Sequence, residues 1–260
     1  MAVRGRDQEL TRPVPVSLPL PRLLVVTAVA PEAAAVLRGV QTAIPHSGPV
    51  PHPLPGGYAM ERCGPVDVLA AGVGPAAAAA GTATALTQAG YDPTHYDLVV
   101  SAGIAGGFAP LAPLGCAVVA EAIVAADLGA QTPDGFATVT ELGFGRVRHE
   151  TAHAAPVAAA LRAAGLLTAV GPVLTVSTVT GSAARAAELT GRHPGAVAEA
   201  MEGFGVAEAA AAHGVPVLEL RTVSNAVGPR DRAAWRIGEA FAALERAFAL
   251  LPYSRLRREG

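Results

Sequence analysis

Short apolar runs, each closed by glycine or proline and followed by a segment of helical periodicity, recur along this chain, and that alternation limits the fold more than any other feature. Residues 23–28, 97–103, 115–127, 173–179 and 216–223 read as strands, 58–63 and 66–71 as a hairpin, and 136–140 as a shorter strand. Between them, residues 32–39, an Ala-rich stretch reaching Gly90, 154–165, a segment capped by Ser182 and running towards Thr190, 201–212 and 232–251 read as helices. In the last of these, Ile237, Phe241, Leu244 and Phe248 recur at helical spacing. Strands alternating with helices predict an α/β chain, a three-layer αβα sandwich around a mixed, mostly parallel central sheet.

The 260 residues suffice for one sizeable core, so a single domain over 22–252 is expected, preceded by a disordered extension over 1–21 and followed by a tail over 253–260. Aromatic residues make up only 4 %, and the abundance of Ala and Gly suits close packing of helices on a sheet. All 19 basic residues are arginine, which excludes a Schiff-base lysine and a Walker-type phosphate lysine. A net charge of -2 argues against a nucleic-acid partner. Cys63 and Cys116 form no CxxC pair and point to a reduced, cytoplasmic setting. Residues 1–21 mix Arg4, Arg6 and Arg12 with prolines and lack the apolar run of a signal peptide. Elsewhere glycine, proline or charge breaks every apolar stretch before the roughly 20 residues a membrane helix needs, so no membrane partner is expected.

In open α/β sheets ligands bind beyond the carboxyl ends of the strands. Four places qualify: Glu32 after the first strand, the glycine-rich segment 101–108 read as a loop, Met201-Glu202 at a helix start, and Ser224-Asn225 after the last strand. Residue type alone gives each an ordinary reading as well. Glu32 and Glu202 are favourable charges in a first helical turn, Met201 is core, and Asn225 forms a turn. Arg221 is harder to dismiss, because it lies inside an apolar strand and a buried guanidinium is costly unless paired with an acid such as Glu202.

Ala71-Gly72-Val73-Gly74, Ser101-Ala102-Gly103-Ile104-Ala105-Gly106-Gly107, Ala200-Met201-Glu202-Gly203 and Arg221-Thr222-Val223-Ser224-Asn225, in this order and spacing, resemble the nucleoside phosphorylase/nucleosidase superfamily over most of residues 22–250. Within it, Asp127-Leu128-Gly129-Ala130 and Asn225-Ala226-Val227-Gly228-Pro229-Arg230-Asp231 with Trp235 resemble the futalosine hydrolases of menaquinone biosynthesis. The resemblance implies a nucleoside phosphorylase-like fold and hydrolysis of the N-glycosidic bond of futalosine, releasing hypoxanthine and dehypoxanthine futalosine. It further implies water as nucleophile, no cofactor and no metal, and a homo-oligomer, dimer or larger, in which a neighbour completes the 5′ pocket.

The same resemblance assigns roles. Glu32 activates water, Arg221 positions that water and Glu202, Glu202 accepts hydrogen bonds from the ribose hydroxyls, and Met201 packs on the sugar ring. Gly74, Ile104, Ala105, Gly106 and Ser224 line the nucleoside. Loss of the base leaves an oxocarbenium-like sugar, which a fixed carboxylate stabilises as charge develops. Relatives acting on 6-aminopurines carry Asp where Asn225 stands. The Asn carbonyl can take a proton on N7 while its amide donates to an oxygen at C6, which favours hypoxanthine. The aryl carboxylate on the 5′ side calls for an apolar slot ending in a cation, with Trp235 and Phe136 as wall and Arg230 or Arg146 as charge. Two departures stand out: Ile104 replaces a small polar residue, and segment 178–182 lacks the Phe that in relatives stacks on the base.

His149-Glu150-Thr151-Ala152-His153 matches the HExxH pattern of zinc proteases, yet Pro156 follows closely and Arg146-Val147-Arg148 reads as loop or strand. Gly72-x-Gly74 lacks the third glycine of a dinucleotide turn. The Gly72 and Gly103 segments contain no arginine to hold phosphate, which favours water over phosphorolysis. Rival readings are a nucleosidase for inosine, methylthioadenosine or S-adenosylhomocysteine, and a non-catalytic nucleoside-binding protein on the same fold.

Overall fold

The computed structural model of the chain describes residues 19–90 and 95–258, so residues 1–18 of the expected N-terminal extension lie outside the described residues. Its strands and α-helices follow one another as β1 (Leu23–Thr27), α1 (Ala30–Ala43), β2 (Val50–Pro51), β3 (Ala59–Cys63), β4 (Val66–Ala70), α2 (Pro75–Ala89), β5 (Leu98–Gly107), β6 (Ala117–Ala125), β7 (Gly129–Thr132), β8 (Gly135–Thr138), β9 (Arg148–Glu150), α3 (Ala154–Ala163), β10 (Thr168–Thr175), α4 (Ala183–Arg192), β11 (Ala198–Ala200), α5 (Gly203–Ala212), β12 (Val217–Ala226) and α6 (Ile237–Ala249).

The main sheet has the order β11-β10-β6-β12-β5-β1-β4-β3-β2, with β9 on β6. Its middle, β4-β1-β5-β12, is parallel throughout, while the β12–β6 and β3–β4 pairs are antiparallel. The antiparallel β11–β5 pair also joins the end of the order back to its middle, so β5, β12, β6, β10 and β11 close on themselves. Successive residues of β1 face opposite layers, as the pleat requires. Leu23 and Val25 pack with Val36 and Val40 of α1, Leu161 of α3 and Leu244 and Phe248 of α6. Leu24 and Val26 pack with Ala78 and Leu86 of α2 and Phe204 and Val206 of α5. Two helical layers thus cover one sheet, the αβα sandwich that the alternation predicts.

Several boundaries differ from the sequence reading. Segment 101–108, read as a loop, continues as β5 to Gly107, because β12 pairs with it along its whole length. The strand placed at 173–179 runs over Thr168–Thr175 instead, with Pro172 tolerated at a register shift. Helix α6 begins only at Ile237, since Asp231 caps a separate turn over Arg232–Ala234, and Ile237 is exposed. The expected tail over 253–260 begins inside the core, and its residues 259–260 lie outside the described residues: Tyr253 and Leu256 are buried, and the Tyr253 hydroxyl donates to the Phe248 carbonyl at 2.8 Å. Ser182 caps α4 as expected, its Oγ accepting from the Arg185 amide at 3.2 Å. Among the described residues no helix is long and apolar enough to cross a membrane.

Helices α2 and α5 meet where a Cβ on Gly205 would lie 2.0 Å from the Pro75 carbonyl oxygen. Backbone cannot yield as a side chain can, so Gly205→Ala is expected to cost about 1–3 kcal/mol and lower Tm by about 3–10 °C. Thermal denaturation checks this; an unchanged Tm would mean that the two helices do not cross so closely.

Candidate active site

Two interruptions in strand pairing create the site. Along one edge of β5, pairing with β1 ends at Ser101 and pairing with β11 begins at Gly106. The Ile104 amide between them faces no strand on that edge. Glu32, in the first turn of α1, fills the gap: its Oε1 accepts from Ile104 N at 2.9 Å, and its Oε2 accepts from Ala28 N at 3.0 Å and Val29 N at 3.3 Å. The second interruption is a register shift in β12 between Val223 and Asn225, which turns Ser224 and Asn225 out of simple alternation.

Arg221 on β12 lies opposite Gly103 on β5. A Cβ on Gly103 would stand 2.4 Å from Glu32 Oε1 and 2.9 Å from Arg221 Nη1, so only glycine lets carboxylate and guanidinium approach over this strand. All three guanidinium nitrogens are engaged: Nε with Glu219 Oε1 at 2.9 Å, Nη1 with Glu202 Oε2 at 3.2 Å, and Nη2 with Ser101 Oγ at 3.0 Å. Glu202 also accepts from Gly74 N at 3.1 Å, where Gly74 opens α2 with φ 93°. Glu32, Glu202, Glu219 and Arg221 are each at most 5 % exposed.

Burial pushes the Glu32 carboxyl above the usual carboxylate range, and Arg221 only partly offsets it. Burial does the same to Glu219 against the pull of Arg221. It also works against the charged guanidinium, but Glu219, Glu202 and Glu32 outweigh it and hold Arg221 more firmly protonated than a free arginine. Glu32 is therefore a dry carboxyl of raised proton affinity beside a fixed cation, an arrangement suited to taking a proton from water.

Beyond this cluster, Asn225 shares a cleft with Gly106, Val179, Thr180, Glu199, Arg230 and Trp235. The Ser224 hydroxyl lies 2.9 Å from Asn225 Oδ1 and 3.3 Å from the Ala105 carbonyl, and Asn225 Nδ2 donates to Ala226 O at 3.1 Å. One lone pair and one N–H of the amide stay open for a ligand. The Arg230 guanidinium sits 5.7 Å from the centre of the Trp235 ring. Met201 is half-buried beside Glu202. The structure thus gathers Glu32, Glu202, Arg221, Gly74 and Ile104 in one cluster and Gly106, Ser224, Asn225, Arg230 and Trp235 in an adjoining cleft, with Ala105 between them. Phe136 and Arg146 go elsewhere: Phe136 lies under Arg192 at 4.3 Å, and Arg146 pairs with Glu208 at 3.4 Å.

The HExxH segment has no helical geometry. His149 is on β9 with Nε2 2.6 Å from Glu208, while His153 precedes α3 with φ 59°. Sequence reasoning missed Glu219 and Glu199. Glu219 stands two residues before Arg221 and so on the same strand face, a signal that was available. Glu199 lies on a three-residue strand that no periodicity announces.

Residues 22–251 match the family model described as the phosphorylase superfamily. A futalosine hydrolase of Streptomyces coelicolor is 63 % identical over 234 residues, covering 88 % of this chain and 94 % of that protein. Among solved structures, a Helicobacter pylori 5′-methylthioadenosine nucleosidase mutant with 5′-methylthioadenosine in its active site superposes with TM-score 0.73 at 18 % identity, covering 87 % of this chain and 96 % of that one. The native futalosine hydrolase of Helicobacter pylori superposes with TM-score 0.71 at 18 % identity, covering 88 % and 94 %. At that identity the two structures attest the fold.

Arg221→Met would leave three buried carboxyls without their cation. It is expected to cost about 3–5 kcal/mol at neutral pH, as removal of one partner from a buried ion pair does. The carboxyls shed that penalty by taking up protons, so the deficit relative to wild type should shrink as pH falls. Denaturant titration at neutral and acidic pH checks it; a deficit that grew on acidification would contradict the charge cluster.

Proposed function

The chain belongs to the phosphorylase superfamily and, within it, to the futalosine hydrolases, and from that premise we propose that it hydrolyses the N-glycosidic bond of futalosine, releasing hypoxanthine and dehypoxanthine futalosine for menaquinone biosynthesis. The observation that carries this reading is the convergence of Glu32 and Glu202, far apart in sequence, on the single guanidinium of Arg221.

In the reaction the electron pair of the C1′–N9 bond leaves with the base, a water oxygen bonds to C1′, the water proton passes to Glu32, and the purine takes up a proton from solvent at N7. Glu202 accepts from the ribose hydroxyls and faces the positive charge that develops on the sugar, while Met201 borders the ring. Asn225 accepts a hydrogen bond from N7–H through Oδ1 and donates to O6 through Nδ2. Arg230, stacked on Trp235, offers the cation for the aryl carboxylate. Water is favoured over phosphate as nucleophile because every Arg221 nitrogen is already engaged, and an incoming dianion would face the carboxyls of Glu32, Glu202 and Glu219. We also propose a reduced, cytoplasmic setting, supported by buried, unpaired Cys63 and Cys116. A homo-oligomer is supported by the exposed Leu128, Leu142 and Phe144 (66 % exposed) around the β7–β8 hairpin.

The purified protein is expected to release hypoxanthine from futalosine at a rate independent of phosphate, followed by chromatography against inosine and methylthioadenosine. Turnover that required phosphate would overturn hydrolysis. The acid limb of kcat/KM should lie above the pH at which an ordinary carboxylate titrates, because Glu32 must be ionised and burial raises its pKa. Activity should fall as pH drops through that limb, and Glu32→Gln should lose at least about 100-fold in kcat. Asn225→Asp should lower kcat/KM for futalosine by about 10–100-fold, since a carboxylate offers O6 no donor. An Asp variant of undiminished efficiency would remove Asn225 from base recognition.

A further inference from the structure

We propose that Glu199 is a specificity-determining residue of the base cleft, its carboxylate accepting the N1–H of a 6-oxopurine from the side opposite Asn225. The inference rests on the proposed reading of that cleft as the purine site.

Strand register places the two residues in one row. Gly106 of β5 pairs with Glu199 of β11 on one side and with Asn225 of β12 on the other. Residues directly opposite in neighbouring strands point to the same sheet face. Glu199 and Asn225 therefore flank a position that has no side chain. A Cβ at Gly106 would lie 2.9 Å from Val227 Cγ2 and 3.3 Å from Asn225 Nδ2, so any larger residue would close the space between the two polar groups. Both residues line the same cleft.

Glu199 is only 5 % exposed, and its hydrogen-bond partners among the described residues are both on Thr180: the amide to Oε1 at 2.7 Å and the hydroxyl to Oε2 at 2.5 Å. Each carboxylate oxygen has two lone-pair sites, so acceptor capacity remains on both. That capacity is open to a further donor. A 6-oxopurine supplies one at N1. A 6-aminopurine presents a bare lone pair there, which a carboxylate repels.

Asn225 reads the N7 edge and the C6 substituent and leaves N1 untested: its Nδ2 is held as the donor by the Ala226 carbonyl at 3.1 Å. A carboxylate only accepts. The pair reads what neither reads singly: Asn225 grips N7 and the C6 substituent, and Glu199 tests the protonation of N1. The same arrangement fits segment 178–182, where the chain lacks an aromatic side chain and Thr180 instead ties the cleft wall to Glu199.

The test is calorimetric binding of free bases to wild type and to Glu199→Gln, alongside turnover of futalosine and of its 6-amino analogue. Wild type is expected to bind hypoxanthine about 10–100-fold more tightly than adenine. In Glu199→Gln, where the side chain offers both an acceptor and a donor, that preference should fall by about 10-fold, with KM for futalosine rising more than kcat falls. A purely structural tie to Thr180 would weaken both bases alike; an unchanged preference in the variant overturns the proposal. Should the variant fail to fold, wild type suffices: 1-methylhypoxanthine, which has no N1–H, must bind at least about 10-fold more weakly than hypoxanthine, and equal affinity overturns the proposal. Selective hypoxanthine binding without futalosine turnover would sink the proposed reaction and leave the role of Glu199 standing, whereas turnover with an unchanged preference would do the reverse.

Discussion

A guanidinium taken out of water loses several kcal/mol of hydration unless its donors are met, and the surroundings of Arg221 are organised by that demand. Three donors go to Glu219, Glu202 and Ser101. The consequences reach into the backbone. A side chain at Gly103 would strike Glu32 and Arg221, and one at Gly203 would stand 2.4 Å from Glu219 Oε1. Gly203 opens α5, so the glycine that admits Glu219 also starts the helix whose preceding residue, Glu202, turns towards the same cation. The Met-Glu-Gly and glycine-rich motifs are thus two sides of one ion cluster.

The position of Glu32 follows from an incomplete sheet. Strand β5 leaves β1 after Ser101 and joins β11 at Gly106, where the open sheet gives way to the closed set of strands. An amide in that interval needs an acceptor, because buried N–H groups are seldom left unmade. Glu32 supplies it from a helix start, and its three backbone donors hold the carboxylate in place. The change in sheet architecture and the placement of the proposed base are therefore one event.

Much of this could be read from residues alone, because helix and strand periods are local. The strands at Leu23–Thr27 and Val66–Ala70, the cap at Ser182 and the αβα layering follow from apolar spacing. Register is not local. The glycines of 101–107 look like a loop until β12 is known to run beside them, and three-residue β11 has too few residues to show a period. For the same reason Glu199 was invisible: its significance lies in sharing Gly106 with Asn225 across three strands far apart in the chain. Residue type could nominate Arg230 and Arg146 equally as a cation for the substrate, and only packing separates them, one beside Trp235 and the other on Glu208.

Burial explains how a carboxyl so near a guanidinium stays basic. Arg221 facing Glu32 alone would hold its carboxyl well below the ordinary range, and such a group would take a proton from water poorly. Here the cation is shared among three carboxyls, with Glu219 and Glu202 in direct contact. The pull of Arg221 on Glu32 falls short of the cost of burial, and its pKa moves up rather than down. Glu219 touches neither the gap at Ile104 nor the cleft at Asn225, yet by occupying Nε of Arg221 it orients the guanidinium. Burial, with the neighbouring charge of Glu202, is what leaves the carboxylate at the edge of β5 able to act as a base.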